Sequence, residues 1–111
     1  MAVTKFRAEG VKTLEVYWNG ETLQLTHDAE LHMTEDSSVL TLFVYEPVLD
    51  QEIELAEIEL DIEMSDMDDS QSSLVYRMLD HYEGISITRA TQLEVEFDRI
   101  VNQLRKSGII E

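Results

Sequence analysis

The spacing of apolar residues changes once along this chain, from two before residue 64 to about three and a half after residue 73. Alternation buries one face of a β-strand, whereas the longer repeat buries one stripe of a helix. Strands first and helices second predict an α+β domain. The expected architecture is an antiparallel sheet of about five strands over residues 3–64, with two helices over about 73–83 and 92–107 packed on one face. A chain of 111 residues, 43% of them hydrophobic, has enough apolar surface for one core, so residues 1–111 are read as a single domain.

The clearest local signal is Asn19-Gly20, the dipeptide that best tolerates the two positive φ angles of a type I′ turn. With those two residues as the loop, Val16 faces Leu23 and Leu14 faces Leu25, so apolar residues share one face. Ala29, Leu31 and Met33 continue the period of two, and Thr34 to Ser38 reads as a polar loop. Val39 to Tyr45 is apolar at both parities, as in a central strand, and Pro47 ends it.

Between residues 52 and 64, Glu52, Glu54, Glu57, Glu59, Asp61 and Glu63 alternate with Ile53, Leu55, Ile58, Leu60, Ile62 and Met64. The parity slips at Ala56, where a β-bulge would keep both halves on the same core. A helix would align Leu49, Ile53, Ala56, Leu60 and Met64, but it would leave Leu55, Ile58 and Ile62 on the opposite side, so a strand is the preferred reading.

The polar segment Ser65 to Ser73 breaks the sheet. Leu74, Val75, Met78, Leu79 and Tyr82 then form one helical face that Gly84 can stop. In the last helix Thr91 and Glu94 have capping-box spacing, Leu93, Phe97, Ile100, Val101 and Leu104 make the apolar stripe, and Gly108 stands where a left-handed C-terminal residue belongs.

Charge is distributed unevenly. Acidic residues number 24 against 8 basic ones, for a formal net charge of −16. The cations are Lys5, Arg7, Lys12, Arg77, Arg89, Arg99, Arg105 and Lys106, so residues 13–76 contain none while holding 17 of the 24 acids. Such a field repels nucleic acid and anionic lipid and steers basic proteins toward the chain. Direct nucleic-acid or membrane binding is therefore disfavoured.

Catalytic chemistry is sparse. The absence of cysteine excludes disulfides and thiolate chemistry. The glycines at 10, 20, 84 and 108 make neither a phosphate loop nor a nucleophile elbow. His27 with Asp28 and His32 with Glu30 read as solvated pairs in preference to metal ligands, as does His81 among its acidic neighbours. Asp66, Asp68 and Asp69 lack the glycine and terminal glutamate of an EF-hand loop. No enzyme, metal or cofactor is expected. With no signal-like leader and no bilayer-length apolar run, the expected location is the cytoplasm.

These features lead to the expectation of an acidic binding protein that inhibits or sequesters a nucleic-acid-binding or nucleic-acid-processing protein, as a DNA mimic of phage or mobile-element type. Alternate strand residues recur at about 6.6–6.8 Å, so Glu57, Glu59, Asp61 and Glu63 would form a straight row with phosphate-like spacing. The expected partner surface comprises Glu52, Glu54, Glu57, Glu59, Asp61, Glu63, Asp66, Asp68 and Asp69. The alternative is a non-enzymatic assembly, chaperone or adaptor subunit that binds through apolar residues such as Tyr17, Trp18, Tyr76 and Met78. A homodimer through an outer strand or the apolar residues near Pro47 is compatible with either.

Overall fold

The structure is a computed structural model that describes residues 13–111. The part of the expected sheet before Thr13, together with Lys5, Arg7 and Lys12, lies outside the described residues. In chain order the elements are β1 (Thr13–Trp18), β2 (Glu21–Thr26), β3 (Glu30–Asp36), β4 (Val39–Glu46), β5 (Gln51–Glu59), α1 (Asp69–His81), β6 (Glu83–Ser86) and α2 (Gln92–Lys106), with a 3₁₀ turn at Met64–Asp66. Every pairing among the described strands is antiparallel, and the fold is α+β with the helices contacting the strands.

The described strands form two sheets where one was expected. β1 and β2 make a separate hairpin, and the larger sheet has the order β5-β4-β3-β6. The hairpin turn follows the sequence: Asn19 and Gly20 have φ of 51° and 79°, and Val16 pairs with Leu23 and Leu14 with Leu25. The chain leaves it through a corner at Thr26, whose carbonyl accepts from the Ala29 N–H. Glu46 holds that corner. Its carboxylate, fully buried at the end of β4, accepts from the Thr26 backbone N–H, from Thr26 Oγ1 at 2.7 Å and from the Val48 N–H at 3.0 Å. Three donors replace a cation at this buried charge.

The expected loop Thr34–Ser38 shrinks to a two-residue turn at Ser37 and Ser38. Thr34, Glu35 and Asp36 pair with Thr41, Leu40 and Val39, because ladder pairing needs only backbone groups and these side chains reach solvent. β5 carries the expected bulge: Leu42 pairs with Ala56 but Phe43 with Glu54, so Leu55 is the extra residue. The strand expected over 52–64 stops at Glu59. Glu59 pairs with Val39, the first residue of β4, and beyond it no partner strand remains among the described residues. The chain instead turns, with the Leu60 and Met64 N–H groups donating to Ser38 and Ser37 and the Asp61 N–H to Ile109.

Helix α1 begins earlier than its apolar repeat suggested, because Asp68 caps it. Its carboxylate accepts from the Gln71 N–H at 2.8 Å while the Gln71 side chain accepts from the Asp68 N–H, a complete capping box. The box expected at Thr91 is absent, since Thr91 makes no side-chain cap bond. Buried Gln92, the first residue of α2, instead ties down the loop before it, accepting from the Thr88 N–H and donating to the Ser86 carbonyl. Gly108 behaves as expected. With φ of 76° it lets the Ile109 N–H reach the Leu104 carbonyl and its own N–H reach Arg105, a Schellman motif with Leu104 and Ile109 both buried. Gly84 does not cap α1; it lies in β6, beside the irregular β3–β6 pairing, with φ of 91°.

α2 packs on β1 and α1 on β3 and β6, and the buried faces merge into one core through residues such as Leu25, Leu42, Val75, Ile100 and Leu104. Within it the Tyr82 hydroxyl donates to Glu96 at 2.8 Å, and Arg99 donates to the same oxygen. Burial, followed by the bond to Glu96, pushes the Tyr82 phenol well above the ordinary tyrosine range.

Candidate functional site

In the four-stranded sheet, alternate residues separate a covered face from an open one. Leu40, Leu42, Val44 and Glu46 of β4 are buried, whereas Val39, Thr41, Phe43 and Tyr45 between them are only half-buried. Apolar character at both parities suggested a strand covered on both sides; among the described residues, one side faces solvent.

Strand register gives the open face its layout. One cross-strand line runs Glu30, Tyr45, Glu52; the next runs His32, Phe43, Glu54; then come Thr34, Thr41, Glu57 and finally Asp36, Val39, Glu59. Directly opposed side chains stand about 4.5–5.5 Å apart at Cβ, so each line is a row of neighbours. The bulge at Leu55 keeps Glu52 and Glu54 on the same side as Glu57 and Glu59. All four glutamates are exposed, and none has an ion-pair partner among the described residues.

Aromatic residues lie beside this acidic column. The His32 ring stacks on Phe43 with centroids 5.3 Å apart and an 11° interplanar angle, and it meets Tyr45 edge-on at 6.5 Å. Glu30 Oε1 lies 3.2 Å from His32 Nε2. The Tyr45 phenol is held above its ordinary range by desolvation first, then by the charge and hydrogen bond of Asp50, with Glu30 and Glu52 adding to the effect. Its O–H donates to Asp50 at 3.4 Å. A groove of about 400 Å³ on this face is lined by Thr34, Thr41, Phe43, Glu52 and Glu54.

The nine expected partner-binding acids are all exposed but do not form one row. Only Glu52, Glu54, Glu57 and Glu59 share the open face. Asp61 lies beyond β5 and accepts from the Glu111 N–H at 3.0 Å. Glu63 precedes the 3₁₀ turn and lines a second groove with Glu35 and Asp36, next to the β3–β4 turn. Asp66 ends the 3₁₀ turn, Asp68 is committed to capping, and Asp69 opens α1. The straight row of Glu57, Glu59, Asp61 and Glu63 therefore does not exist.

None of the six described strands carries a lysine or arginine. The described cations, Arg77, Arg89, Arg99, Arg105 and Lys106, lie on the helices or the loop before α2. The described strands are thus acidic without cations, while on the helices Asp69, Asp80, Glu94, Glu96 and Asp98 accompany the basic residues. The alternative apolar surface is not assembled as expected. Met78 is buried, Trp18 packs edge-on against Phe97 at 5.4 Å, and the exposed Tyr17 and Tyr76 stand on different elements. No described helix is long and apolar enough to cross a membrane. No protein family, curated protein or solved structure matches this chain.

Proposed function

We propose that this protein binds a basic protein through the open face of its four-stranded sheet, and that the partner is a nucleic-acid-binding or nucleic-acid-processing protein whose phosphate-binding surface is occupied as a result. The observation that carries the reading is the column Glu52, Glu54, Glu57 and Glu59, exposed, without cation partners among the described residues and bordered by aromatic side chains. Carboxylates clustered without cation partners on one exposed sheet face add up to a negative potential and raise the rate at which a basic protein arrives. Phe43 and Tyr45 supply apolar area, which gives a docked partner something besides charge to hold. Binding, and not catalysis, is the role such a surface supports. Like charges along β5 also oppose edge-to-edge pairing of two copies, which makes a heterologous partner the better fit to this strand.

The test is capture from the native host at low and high salt, comparing the wild type with the quadruple variant E52Q/E54Q/E57Q/E59Q and adding duplex DNA as competitor. A basic DNA- or RNA-binding protein should be retained at low salt, released at high salt, displaced by DNA and lost from the variant. A partner that the variant retains equally well at low salt would contradict the proposal.

A further inference from the structure

We infer that the open face selects arginine: an arginine from an extended basic segment of the partner seats in the groove over Thr34 and Thr41, with its guanidinium against Phe43 and its N–H fork toward Glu52 and Glu54. This rests on the reading of the open face given above and adds which cation the face prefers.

The groove is a consequence of side-chain length. Thr34 and Thr41 are directly opposed on β3 and β4, and both are short, while Phe43 and Glu54 in the adjoining line are long. A depression floored by threonine and walled by an aromatic ring and two carboxylates follows. His32 stabilises the wall. Stacked on Phe43 at 5.3 Å and within 3.2 Å of Glu30, it takes one side of the ring and limits its rotation. Phe43 stands between His32 and Glu54 in the same line, so the rest of its ring borders the acidic column.

Charge complementarity identifies the occupant as cationic, and the aromatic wall selects among cations. A guanidinium is planar, weakly hydrated and able to stack on a ring while its in-plane N–H groups bond carboxylates. An ammonium is a compact, strongly hydrated point charge that satisfies the glutamates but gains less from the ring. An extended segment suits the site because its alternate residues recur at about 6.6–6.8 Å, the same interval that separates Glu52 from Glu54.

The experiment uses two synthetic peptides, identical but for arginine or lysine at alternate positions, titrated calorimetrically into the full chain at low salt. The arginine peptide should bind about fivefold more tightly. F43L should bring that ratio close to one while leaving the lysine peptide unchanged, and E52Q/E54Q should weaken both. T34L, which fills the groove from the open side, should also abolish the preference and serves if F43L does not fold. Equal affinity of the two peptides for the wild type, with loss of both in E52Q/E54Q, would overturn the arginine inference and leave the acidic-face reading standing. Failure of both peptides to bind, or indifference to E52Q/E54Q, would remove both.

Discussion

The two faces of the four-stranded sheet come from the same strands, one residue out of step, and both carry carboxylates. On the covered face Glu46 is fully buried and held by three donors among residues such as Leu40, Leu42 and Val44. On the open face Glu52, Glu54, Glu57 and Glu59 are exposed and held by no cation among the described residues. The difference lies in parity, since identical side chains become a structural clamp or a presented charge according to which way the strand turns them. One face therefore stabilises the fold, and the other is the one proposed above to meet a partner.

Substitutions on the covered face should break the fold and leave the proposed binding face intact wherever the protein remains folded. Leu42→Ala removes a fully buried side chain beside the bulge and should lower stability by about 2–5 kcal/mol in urea denaturation. Glu46→Ala leaves the Thr26 N–H, the Thr26 hydroxyl and the Val48 N–H without their acceptor and should cost about 3 kcal/mol. Its signature is loosening of the hairpin from the larger sheet, read as faster hydrogen exchange at Thr26.

Asp68 sharpens the comparison from outside the sheet, as an exposed acid with a structural task. Donation from the Gln71 N–H, then from the Ser70 hydroxyl, holds its carboxyl below the usual aspartate range. The unfolded value is therefore the higher of the two. The stability this cap contributes is present above the unfolded value, about 3.9, and is lost as pH falls through the folded one. The thermal midpoint of the wild type relative to Asp68→Asn should accordingly decline in acid and stay constant near neutrality. Removing charge from the open face should have the smallest effect on folding. Each glutamine in E52Q/E54Q/E57Q/E59Q should change stability by less than about 0.5 kcal/mol, with a gain at low salt that disappears at high salt as repulsion is screened.

The strand and helix classes were legible because period and turn chemistry agree locally, as in Asn19-Gly20, the slip at Ala56 and the Gly108 cap. What stayed hidden depends on contacts remote in sequence. The corner at which β1 and β2 leave the larger sheet is held by the bond between Thr26 and Glu46, twenty positions apart, and Glu46 looked like one more solvated acid. Strand β6 has only four residues, too few for a period to show. The end of β5 was set by where β4 begins, so Asp61 and Glu63 left the acidic column although their own alternation continued. Half of the candidate surface was visible as glutamate parity. The aromatic half was not, because Val39 to Tyr45 gave no sign that one of its two apolar faces would stay open.

Chemical-shift mapping across both faces tests the central claim most directly. The isotopically labelled chain is titrated with the arginine peptide, and backbone amide shifts are followed residue by residue. The account predicts saturable shifts centred on Thr34, Thr41, Phe43, Glu52 and Glu54, abolished by E52Q/E54Q, with Arg77, Arg99 and the rest of the helical side unmoved. Shifts centred on α1, α2 or the hairpin, or spread evenly over every acidic residue, would contradict it.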